Sequence, residues 1–498
     1  MQLATVSTRT QTGLSAPPVR VEVHISAGLP ALSISGLVET AVKESRDRVC
    51  AAIRNSGLQV PDGRIVVSLA PADLPKSGSR FDLPIALGIL AASGQLPPER
   101  LAGCECYGEL ALSGELQSVP ALLPSVMHAQ GKGRAVLVPA KCAAELARLH
   151  GENIYLAEHL LDAVRFLQGS AELPKVPPPD NAETLLNYED FADVCGQHQA
   201  RRAMLIAAAG GHNILMCGSP GTGKSMLARR LPALLPPLSD AAALESAALH
   251  SLARQPLPEW RKTPFRAPHH SASAAALVGG SPKPKPGEIS LAHHGVLFLD
   301  ELPEFSRPAL EALREPLETG RITIARAGQT CEFPACFQLV AAMNPCPCGY
   351  AGDPSRDCRC SPDLVRRYQQ RLSGPLLDRI DMSVALTRSP FLFTERSEGN
   401  ETTAGMLAAI APALHLQRQR GARNARLGAA ATREFCWPDS AGMRVLEKAA
   451  ARYGMSMRAC DRVLRVARTI ADLEGARTTN APAITEALAF RSLAGSAC

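Results

Sequence analysis

The sequence predicts an α/β protein in three parts: an N-terminal α/β domain, a central doubly wound parallel sheet, and a C-terminal domain made only of helices. Three observations support this fold class. Apolar strand segments alternate with amphipathic helices up to about residue 388. A glycine-rich phosphate-loop pattern lies between one of these strands and a helix. From about residue 401 the strand signals stop, and Ala- and Arg-rich helical segments follow.

The N-terminal part is separated from the rest by a polar, proline-rich stretch, which favours an extended and semi-rigid linker. Before this stretch, the patterns predict strands at 21–25, 64–69 and 135–138 and helices at 39–55, 84–92 and 143–150. The predicted organisation is an N-terminal domain at 1–170, a linker at 171–186, a core at 187–390 and a helical domain at 391–498.

Length and charge limit the function classes. The 498 residues, 46% of them hydrophobic, can bury several cores and exclude a small single module. The net charge of +6 comes mainly from the region after residue 390, which indicates either a polyanionic partner or an ordinary solvated helical face. The N-terminus lacks an apolar signal segment, and no run of about 18 apolar residues occurs. We therefore expect a cytoplasmic protein without a membrane partner.

The phosphate-loop pattern G-x-x-x-x-G-K-[ST] follows the strand predicted at 213–217. Its glycines allow backbone N–H groups to surround a phosphate at the start of the next helix. Lys224 is expected to reach the β- and γ-phosphates of ATP, and the Ser225 hydroxyl to ligate Mg²⁺. The predicted nucleotide-binding residues are Gly218, Ser219, Pro220, Gly221, Thr222, Gly223, Lys224 and Ser225.

Polar side chains follow two further apolar strands, at 295–299 and 337–343. Asp300 can complete the Mg²⁺ shell, and Glu301 can act as the catalytic base for an attacking water. Asn344 could orient that water against the γ-phosphate. Taken alone, an acidic pair is often a helix cap, and an Asn before Pro is an ordinary turn former. The phosphate loop favours the catalytic interpretation.

These three elements, in this order, resemble the AAA+ ATPases, with Walker A at 218–225, Walker B at 296–301 and sensor 1 at Asn344. The resemblance implies a P-loop NTPase core whose ATP sites lie between the subunits of a ring, usually a hexamer. It also implies that a neighbouring subunit contributes an arginine. Arg379 matches the arginine-finger position, and Arg458 matches sensor 2 of the C-terminal all-α lid. Each arginine could instead form a surface ion pair.

Four further segments resemble the magnesium-chelatase-related branch of this family, and the domain order is similar to the ComM/YifB family. The segments are 194–197, 202–213, 264–270 and 287–295. This resemblance implies a hexameric DNA helicase that drives branch migration during homologous recombination in natural transformation. Its partners would be single-stranded or branched DNA and recombination proteins. The resemblance covers nearly the whole chain.

Two other functions are compatible with the motifs. The first is a magnesium-chelatase-type chaperone ATPase that remodels a protein partner for metal insertion. The second is a degenerate relative of the Lon protease that acts only as an interaction module. The intact Lys224, Asp300 and Glu301 argue against the second.

The N-terminal domain resembles the Lon-protease fold over 73–84 and 108–115, which favours the helicase over the chelatase. The serine position of the Lon family falls on Asp82 in this chain. A Ser/Lys peptidase also needs a lysine of lowered pKa, and 118–128 contains none. We therefore expect a domain that is not a peptidase and that serves ring assembly or DNA contact.

Fifteen cysteines in a cytoplasmic chain are expected to be free thiols or metal ligands rather than disulfides. Four of them form two C-x-C pairs directly after sensor 1. Thiolate tetrads suit tetrahedral Zn²⁺, although C-x-x-C is the more usual spacing and free thiols remain the alternative. The candidate zinc ligands are Cys346, Cys348, Cys358 and Cys360.

Two segments are candidate DNA contacts, because a translocating ring must contact its strand repeatedly and mainly through phosphates. The loop at 279–286 carries Lys283 and Lys285 among prolines and glycines, and a solvated linker is its alternative interpretation. The hairpin predicted at 321–330 carries Arg321 and Arg326.

Two other groups have open interpretations. The densest basic run could contact DNA or form a solvated helical face; it consists of Arg418, Arg420, Arg423 and Arg426. His269 and His270 could be core histidines or loop anchors.

Overall fold

The computed structural model describes residues 3–149, 153–177, 186–280, 284–326, 329–388 and 401–491. The chain divides into two compact units: Met1–Thr184 with Ala243–Glu259, and Leu185–Ala242 with Trp260–Cys498. Residues 243–259, which the sequence places in the core domain, pack with the first unit instead. The reason is their small apolar face, since Ala247 and Ala248 are buried among side chains such as Leu123 and Val138.

The first unit is built on a mixed sheet. Its described strands are β1 (Leu3–Arg9), β2 (Pro18–Ser26), β3 (Ala31–Ser35), β4 (Arg64–Ala70), β5 (Cys104–Cys106), β6 (Glu109–Leu110), β7 (Leu116–Gln117), β8 (Ala135–Pro139) and β9 (Ile154–Ala157). Seven of them form one sheet in the order β3-β4-β2-β1-β5-β8-β9, and β6 pairs with β7. The pairs β1/β2 and β2/β4 are antiparallel, and the other pairs of the large sheet are parallel. The three strands predicted here are confirmed.

The helices of the first unit are α1 (Thr40–Lys43), α2 (Ser45–Asn55), α3 (Asp82–Ala92), α4 (Leu123–Gln130), α5 (Ala143–Leu146) and α6 (Leu160–Gln168). Every residue of α3 is buried, so it is a core helix rather than an amphipathic surface helix. It packs closely on β2, since a Cβ at Gly88 would lie 2.6 Å from Val23 Cγ2. The helix predicted at 39–55 is divided between α1 and α2.

The second unit is built on an all-parallel sheet, as the sequence predicts. The strands are β10 (Ile214–Gly218), β11 (Phe265–Arg266), β12 (Val296–Leu299), β13 (Arg321–Arg326), β14 (Gln329–Pro334), β15 (Gln338–Met343) and β16 (Met382–Leu386). Five of them are parallel in the order β11-β12-β15-β10-β16, while β13 and β14 form a separate antiparallel hairpin. All residues of β10, β12 and β15 are buried, as in parallel sheets that are covered on both faces.

The remaining helices are α7 (His198–Gly210), α8 (Lys224–Arg230), α9 (Asp240–Ala253), α10 (Ala274–Val278), α11 (Glu288–Leu291), α12 (Arg307–Glu311), α13 (Arg314–Thr319), α14 (Pro362–Gln369), α15 (Gly374–Leu377), α16 (Thr403–Gln419), α17 (Ala429–Phe435), α18 (Ser440–Tyr453), α19 (Met457–Leu473) and α20 (Ala481–Ala489). Within 401–491 the structure contains helices and no strand, as predicted. These helices share one hydrophobic core with the sheet, in which Ile206 and Ile214 lie with Val466 and Ile470. No helix in the described ranges is long and apolar enough to cross a membrane.

Candidate functional site

The phosphate loop connects β10 to α8, and two of its glycines are required by the local backbone. Gly218 ends β10 beside β16, and a Cβ there would lie 2.6 Å from the carbonyl oxygen of Leu386. Gly223, directly before α8, has a φ of 90°, a conformation that other residues rarely adopt. The loop can therefore turn tightly from the strand into the helix, with its backbone close to any bound phosphate.

Lys224 is the central cation of this site. Its ammonium group donates hydrogen bonds to the carbonyl oxygens of Gly218, at 2.6 Å, and Ser219, at 3.0 Å. A third bond, of 3.0 Å, reaches the side-chain oxygen of Asn344. Burial lowers the pKa of Lys224, and nearby carboxylates partly oppose that shift. The lysine thus joins the phosphate loop to the residue that follows β15.

Two oxygen atoms are placed to hold a magnesium ion. The hydroxyl of Ser225 donates to Oδ2 of Asp300 across 2.8 Å. Neighbouring ligands of an octahedral Mg²⁺, each 2.0–2.1 Å from the metal, lie about 2.9 Å apart. The hydroxyl and the carboxylate therefore fit two adjacent positions of such an ion, and ATP phosphates and water would complete its shell.

Glu301 has the properties of a positioned base. Its φ of 52° is unusual for a residue other than glycine, and such backbone strain clusters at functional sites. Its backbone N–H donates to Asp300 Oδ1 at 2.9 Å, and its carboxylate lies 2.9 Å from Nδ1 of His270. The Glu301 side chain is 49% exposed, so water can reach it while His270 fixes its orientation.

His270 is a site residue that the sequence interpretation did not assign to catalysis. It follows β11, the strand next to β12, and the parallel order of these strands brings it to Glu301. The two consecutive histidines after a short apolar segment were the available signal. Their partner was not predictable, because the order of strands in the sheet is not visible in the sequence.

The predicted nucleotide-binding residues, Glu301 and Asn344 meet at one edge of the sheet. Gly218 ends β10, and Asp300 and Asn344 follow β12 and β15. Since β12, β15 and β10 are adjacent and parallel, their carboxyl ends lie side by side. Lys224 contacts Asn344, and Ser225 contacts Asp300, so the phosphate loop and these two side chains form one site.

The structure places the two predicted arginines at the opposite edge of the sheet. Arg379 precedes β16, and it lines a cleft of about 810 Å³ together with Arg458 from α19. Asn213 and Phe337, which precede β10 and β15, line the same cleft. A strand of five residues spans about 16 Å. Neither arginine therefore lies at the phosphate loop of its own chain.

This cleft is rich in cations. Its arginines are Arg314, Arg379, Arg426, Arg458, Arg462 and Arg465, against the carboxylates Glu318, Asp378, Asp381 and Asp461. Arg379 donates to Pro375 O at 2.7 Å and forms an ion pair with Glu318. That hydrogen bond to Arg379 lowers the pKa of Glu318. A concave surface with excess arginine suits an anionic group of another molecule.

Comparison with known proteins gives three matches to family models. The model "Magnesium chelatase, subunit ChlI" matches residues 190–391. The model "Subunit ChlI of Mg-chelatase" matches residues 21–142, and "Magnesium chelatase, subunit ChlI C-terminal" matches residues 400–491.

Full-length relatives decide the family. Competence protein ComM of Haemophilus influenzae is 46% identical over 503 residues, covering 99% of this chain and 98% of that protein. Uncharacterized protein YifB of Escherichia coli is 47% identical over 498 residues, with the same coverage. The chain belongs to the ComM/YifB family of magnesium-chelatase-like proteins. The Magnesium-chelatase 38 kDa subunit of Cereibacter sphaeroides is 29% identical over 177 residues, 31% of this chain and 52% of that protein.

Membership in the ComM/YifB family gives the phosphate site its chemical context. The α/β architecture with a parallel sheet is consistent with a magnesium-chelatase-like AAA+ fold. The family implies the use of a nucleotide with Mg²⁺, and it suggests ATPase activity. The model that matches 21–142 also has a chelatase description, so the N-terminal domain does not by itself favour a helicase over a chelatase.

In the N-terminal unit of this ComM/YifB protein, the described side chains at and near the Lon serine position do not form a Ser/Lys pair. Asp82 is buried and accepts hydrogen bonds from Ser45, Arg48 and the backbone of Leu110. The Ser79 hydroxyl donates to Glu109, and Lys76 donates to a backbone carbonyl. The residue at the Lon serine position is therefore an aspartate that is held in an ion pair, and it does not supply the hydroxyl nucleophile of a Ser/Lys peptidase.

The structure describes the side chains of two of the four candidate DNA-contact residues. Lys285 is exposed, and Arg321 at the start of β13 is 66% exposed and pairs with Glu332 at 2.5 Å. Lys283 and the side chain of Arg326 lie outside the described residues. The hairpin at 321–334 and the end of the loop at 284–286 therefore each present a described basic side chain.

Two arginines of the basic run at 418–426 make internal contacts, so the run as a whole is not a solvated helical face. Arg420 makes two bonds, of 2.6 and 2.7 Å, to the buried carboxylate of Asp472. Arg423 donates to the carbonyl of Ala208, and burial lowers the pKa of Arg423 to about 10. Of the other two, Arg418 is exposed and Arg426 lines the arginine cleft.

The four candidate zinc ligands converge in the loop between β15 and α14. All four sulfur atoms lie within 4.8 Å of one another. The predicted cluster is therefore present as a spatial group.

The variant Glu301→Gln tests the assignment of the base. We expect ATP hydrolysis to fall by about 100-fold or more, because a positioned general base contributes about 10²–10⁴-fold. The affinity for a fluorescent ATP analogue should stay within a few-fold, since the phosphate loop is unchanged. The rate would be measured by phosphate release and the affinity by fluorescence titration.

Glu304→Gln is the matched control, because Glu304 lies in the same turn and pairs with Arg371 instead. Its hydrolysis rate should remain close to that of the wild-type protein. Wild-type hydrolysis by Glu301→Gln would exclude Glu301 as the base.

Proposed function

We propose that this protein is an ATP-hydrolysing DNA helicase and translocase. In this proposal it assembles as a hexameric ring in the cytoplasm and drives branch migration during homologous recombination in natural transformation. Its substrates would be single-stranded or branched DNA, and recombination proteins would be its partners. Full-length similarity to a protein named Competence protein ComM supports this assignment.

One observation carries the proposal: the residues predicted to act in hydrolysis are divided between opposite edges of one sheet. The loop, Asp300, Glu301 and Asn344 occupy the carboxyl edge, while Arg379 and Arg458 occupy the amino edge. In a ring, the arginine cleft of one copy can face the phosphate site of the next. Hydrolysis would then require assembly.

Within each site the residues have separate roles. Lys224 binds the β- and γ-phosphates of ATP, while Ser225 and Asp300 hold the Mg²⁺, which neutralises phosphate charge when bound. Glu301, oriented by His270, accepts the proton of the attacking water. Asn344 orients that water. An arginine from the neighbouring copy stabilises the charge of the transition state, an effect worth about 10³–10⁵-fold in related phosphoryl transfers.

The basic side chains of the hairpin and loop would contact the DNA backbone. Exposed ion pairs such as Arg321 with Glu332 contribute about 0–1 kcal/mol, so a phosphate can replace the carboxylate at little cost. Six copies around one axis would repeat such contacts along a strand without reading its sequence.

A second candidate is a chaperone ATPase of the magnesium-chelatase type that remodels a protein partner for metal insertion. The observation that favours it is the chelatase description of all three matching family models. The two candidates differ in what stimulates ATP hydrolysis.

Stimulation by DNA distinguishes the two candidates. ATP hydrolysis should rise several-fold on adding a four-way junction or forked duplex, and the junction should be separated into duplex products. The variant Lys224→Ala should do neither, because the phosphates lose their central cation. Arg321→Ala should retain basal hydrolysis but need more DNA for half-maximal stimulation. Unchanged hydrolysis with every DNA structure, together with intact junctions, would contradict the helicase.

Mixing two inactive variants tests the proposed use of arginines across an interface. Lys224→Ala lacks the phosphate cation, and Arg379→Ala lacks the neighbour's arginine. In a random equal mixture, about a quarter of the interfaces combine an intact loop with an intact arginine, so about a quarter of the activity should return. The measurement is ATP hydrolysis after the subunits have exchanged.

The matched control mixes Lys224→Ala with Glu301→Gln, whose defects lie on the same edge of the sheet. No interface in that mixture restores a complete site, and activity should stay absent. The cross-interface arrangement would be refuted if the first mixture remained as inactive as the control.

A further inference from the structure

The loop between β15 and α14, residues 344–361, contains no helix or strand, yet four thiols converge within it. Cys346 Sγ lies 3.3 Å from Cys348 Sγ and 3.6 Å from Cys358 Sγ, and the latter two are 3.6 Å apart. Cys360 completes the group, and none of the four is in a disulfide. Long loops without secondary structure are uncommon in compact units unless something orders them.

The separations match those of a tetrahedral zinc site. Sulfur ligands at about 2.3 Å from Zn²⁺ lie about 3.8 Å from one another. The observed distances of 3.3–3.6 Å are close to that value and far above the bond length of about 2.05 Å in a disulfide. Zinc ligation explains why four thiols converge at one point, whereas four free thiols would not be expected to do so.

Backbone groups around the sulfur atoms support ligation. The N–H of Ala351 points to Cys346 Sγ at 3.3 Å, and the N–H of Cys360 points to Cys358 Sγ at 3.5 Å. Such outer hydrogen bonds stabilise thiolates and orient metal ligands. Cys346 is fully buried, whereas the other three thiols are partly exposed, so a metal ion can enter.

The same loop rests on the phosphate loop. A Cβ at Gly349, whose φ is 86°, would lie 2.7 Å from Pro220 Cδ. The side chains of Ser355 and Ser219 lower the pKa of Asp353, whose side chain is 1% exposed. The cysteine loop therefore lies directly against Pro220 of the phosphate loop.

Arg388, which follows β16, joins the two loops. Its guanidinium donates to Pro220 O at 3.2 Å and to the Ser355 hydroxyl at 3.1 Å. It lies 3.5 Å from the Asp353 carboxylate and over the ring of Tyr350, at 5.9 Å from its centre. These contacts require that residues 350–355 keep a fixed position relative to the phosphate loop.

We propose that Cys346, Cys348, Cys358 and Cys360 bind one Zn²⁺, and that the metal holds this loop against the phosphate loop so that ATP affinity depends on zinc. The metal site is independent of the proposed DNA function. Its coupling to ATP rests only on nucleotide binding at the phosphate loop. Because coupling is reciprocal, bound nucleotide should also slow zinc loss.

The first measurement is the zinc content of the full-length protein, purified without chelator and reduced, by mass spectrometry of the metal. We expect about one equivalent per chain, as structural zinc sites bind tightly. Cys348→Ser and Cys358→Ser should lose most of it. Cys50→Ser is the matched control, since Cys50 is a partly buried thiol in α2 of the other unit. Zinc-free wild-type protein that takes up no added zinc, or cysteine variants that retain it, would overturn the site.

The second measurement is the affinity for a fluorescent ATP analogue without DNA. Removing zinc with a chelator should weaken binding by about tenfold, and adding zinc back should restore it. Asp353→Ala should keep its zinc yet bind the analogue more weakly, which separates loop contact from misfolding. Unchanged affinity on zinc removal or in Asp353→Ala would overturn the coupling. Zinc binding without any nucleotide binding would instead refute the phosphate site.

Discussion

The parallel alignment of five strands is the constraint on which the functional geometry depends. Parallel strands present all their carboxyl ends at one edge of a sheet and all their amino ends at the other. The order β11-β12-β15-β10-β16 places the phosphate loop between the strands that precede Asn344 and Arg388. Because Arg379 precedes β16, the same parallel alignment places it at the amino ends of the strands, opposite the phosphate loop. In the proposed ring, a complete site would therefore combine two copies of the chain.

Contacts among the C-terminal helices hold the helix that carries Arg458, one of the arginines of the cleft. Asp472 is buried in α19, and it accepts hydrogen bonds from Arg420, Arg468 and Asn424. A buried carboxylate is costly unless it is paired in this way. The network ties the segment after α16 to the helix that begins beside Arg458. Arg420, which belongs to the basic run that resembles a nucleic-acid signal in the sequence, therefore helps to hold the helix that carries Arg458.

Local patterns predicted the elements well and their assembly less well. The strands before Gly218, Asp300 and Asn344 were predictable because continuous apolar runs indicate buried strands. The location of Arg458, away from the phosphate loop of its own chain, was not predictable from the sequence. It depends on how the helices pack at the amino edge of the sheet. The contact of His270 with Glu301 depends likewise on strand order. In α9, Ala247 and Ala248 are small apolar residues that could pack in either unit, and only tertiary structure decides.

The central claim is that each ATP site combines the phosphate loop of one copy with an arginine of another. Its most direct test is a cryo-electron microscopy structure of the protein with a non-hydrolysable ATP analogue, Mg²⁺ and junction DNA. The account predicts a closed ring, with the analogue's phosphates on Lys224 and the guanidinium of Arg379 from the adjacent copy within hydrogen-bond reach of the γ-phosphate. An analogue bound elsewhere, or a ring in which that arginine is out of reach of every phosphate, would contradict it.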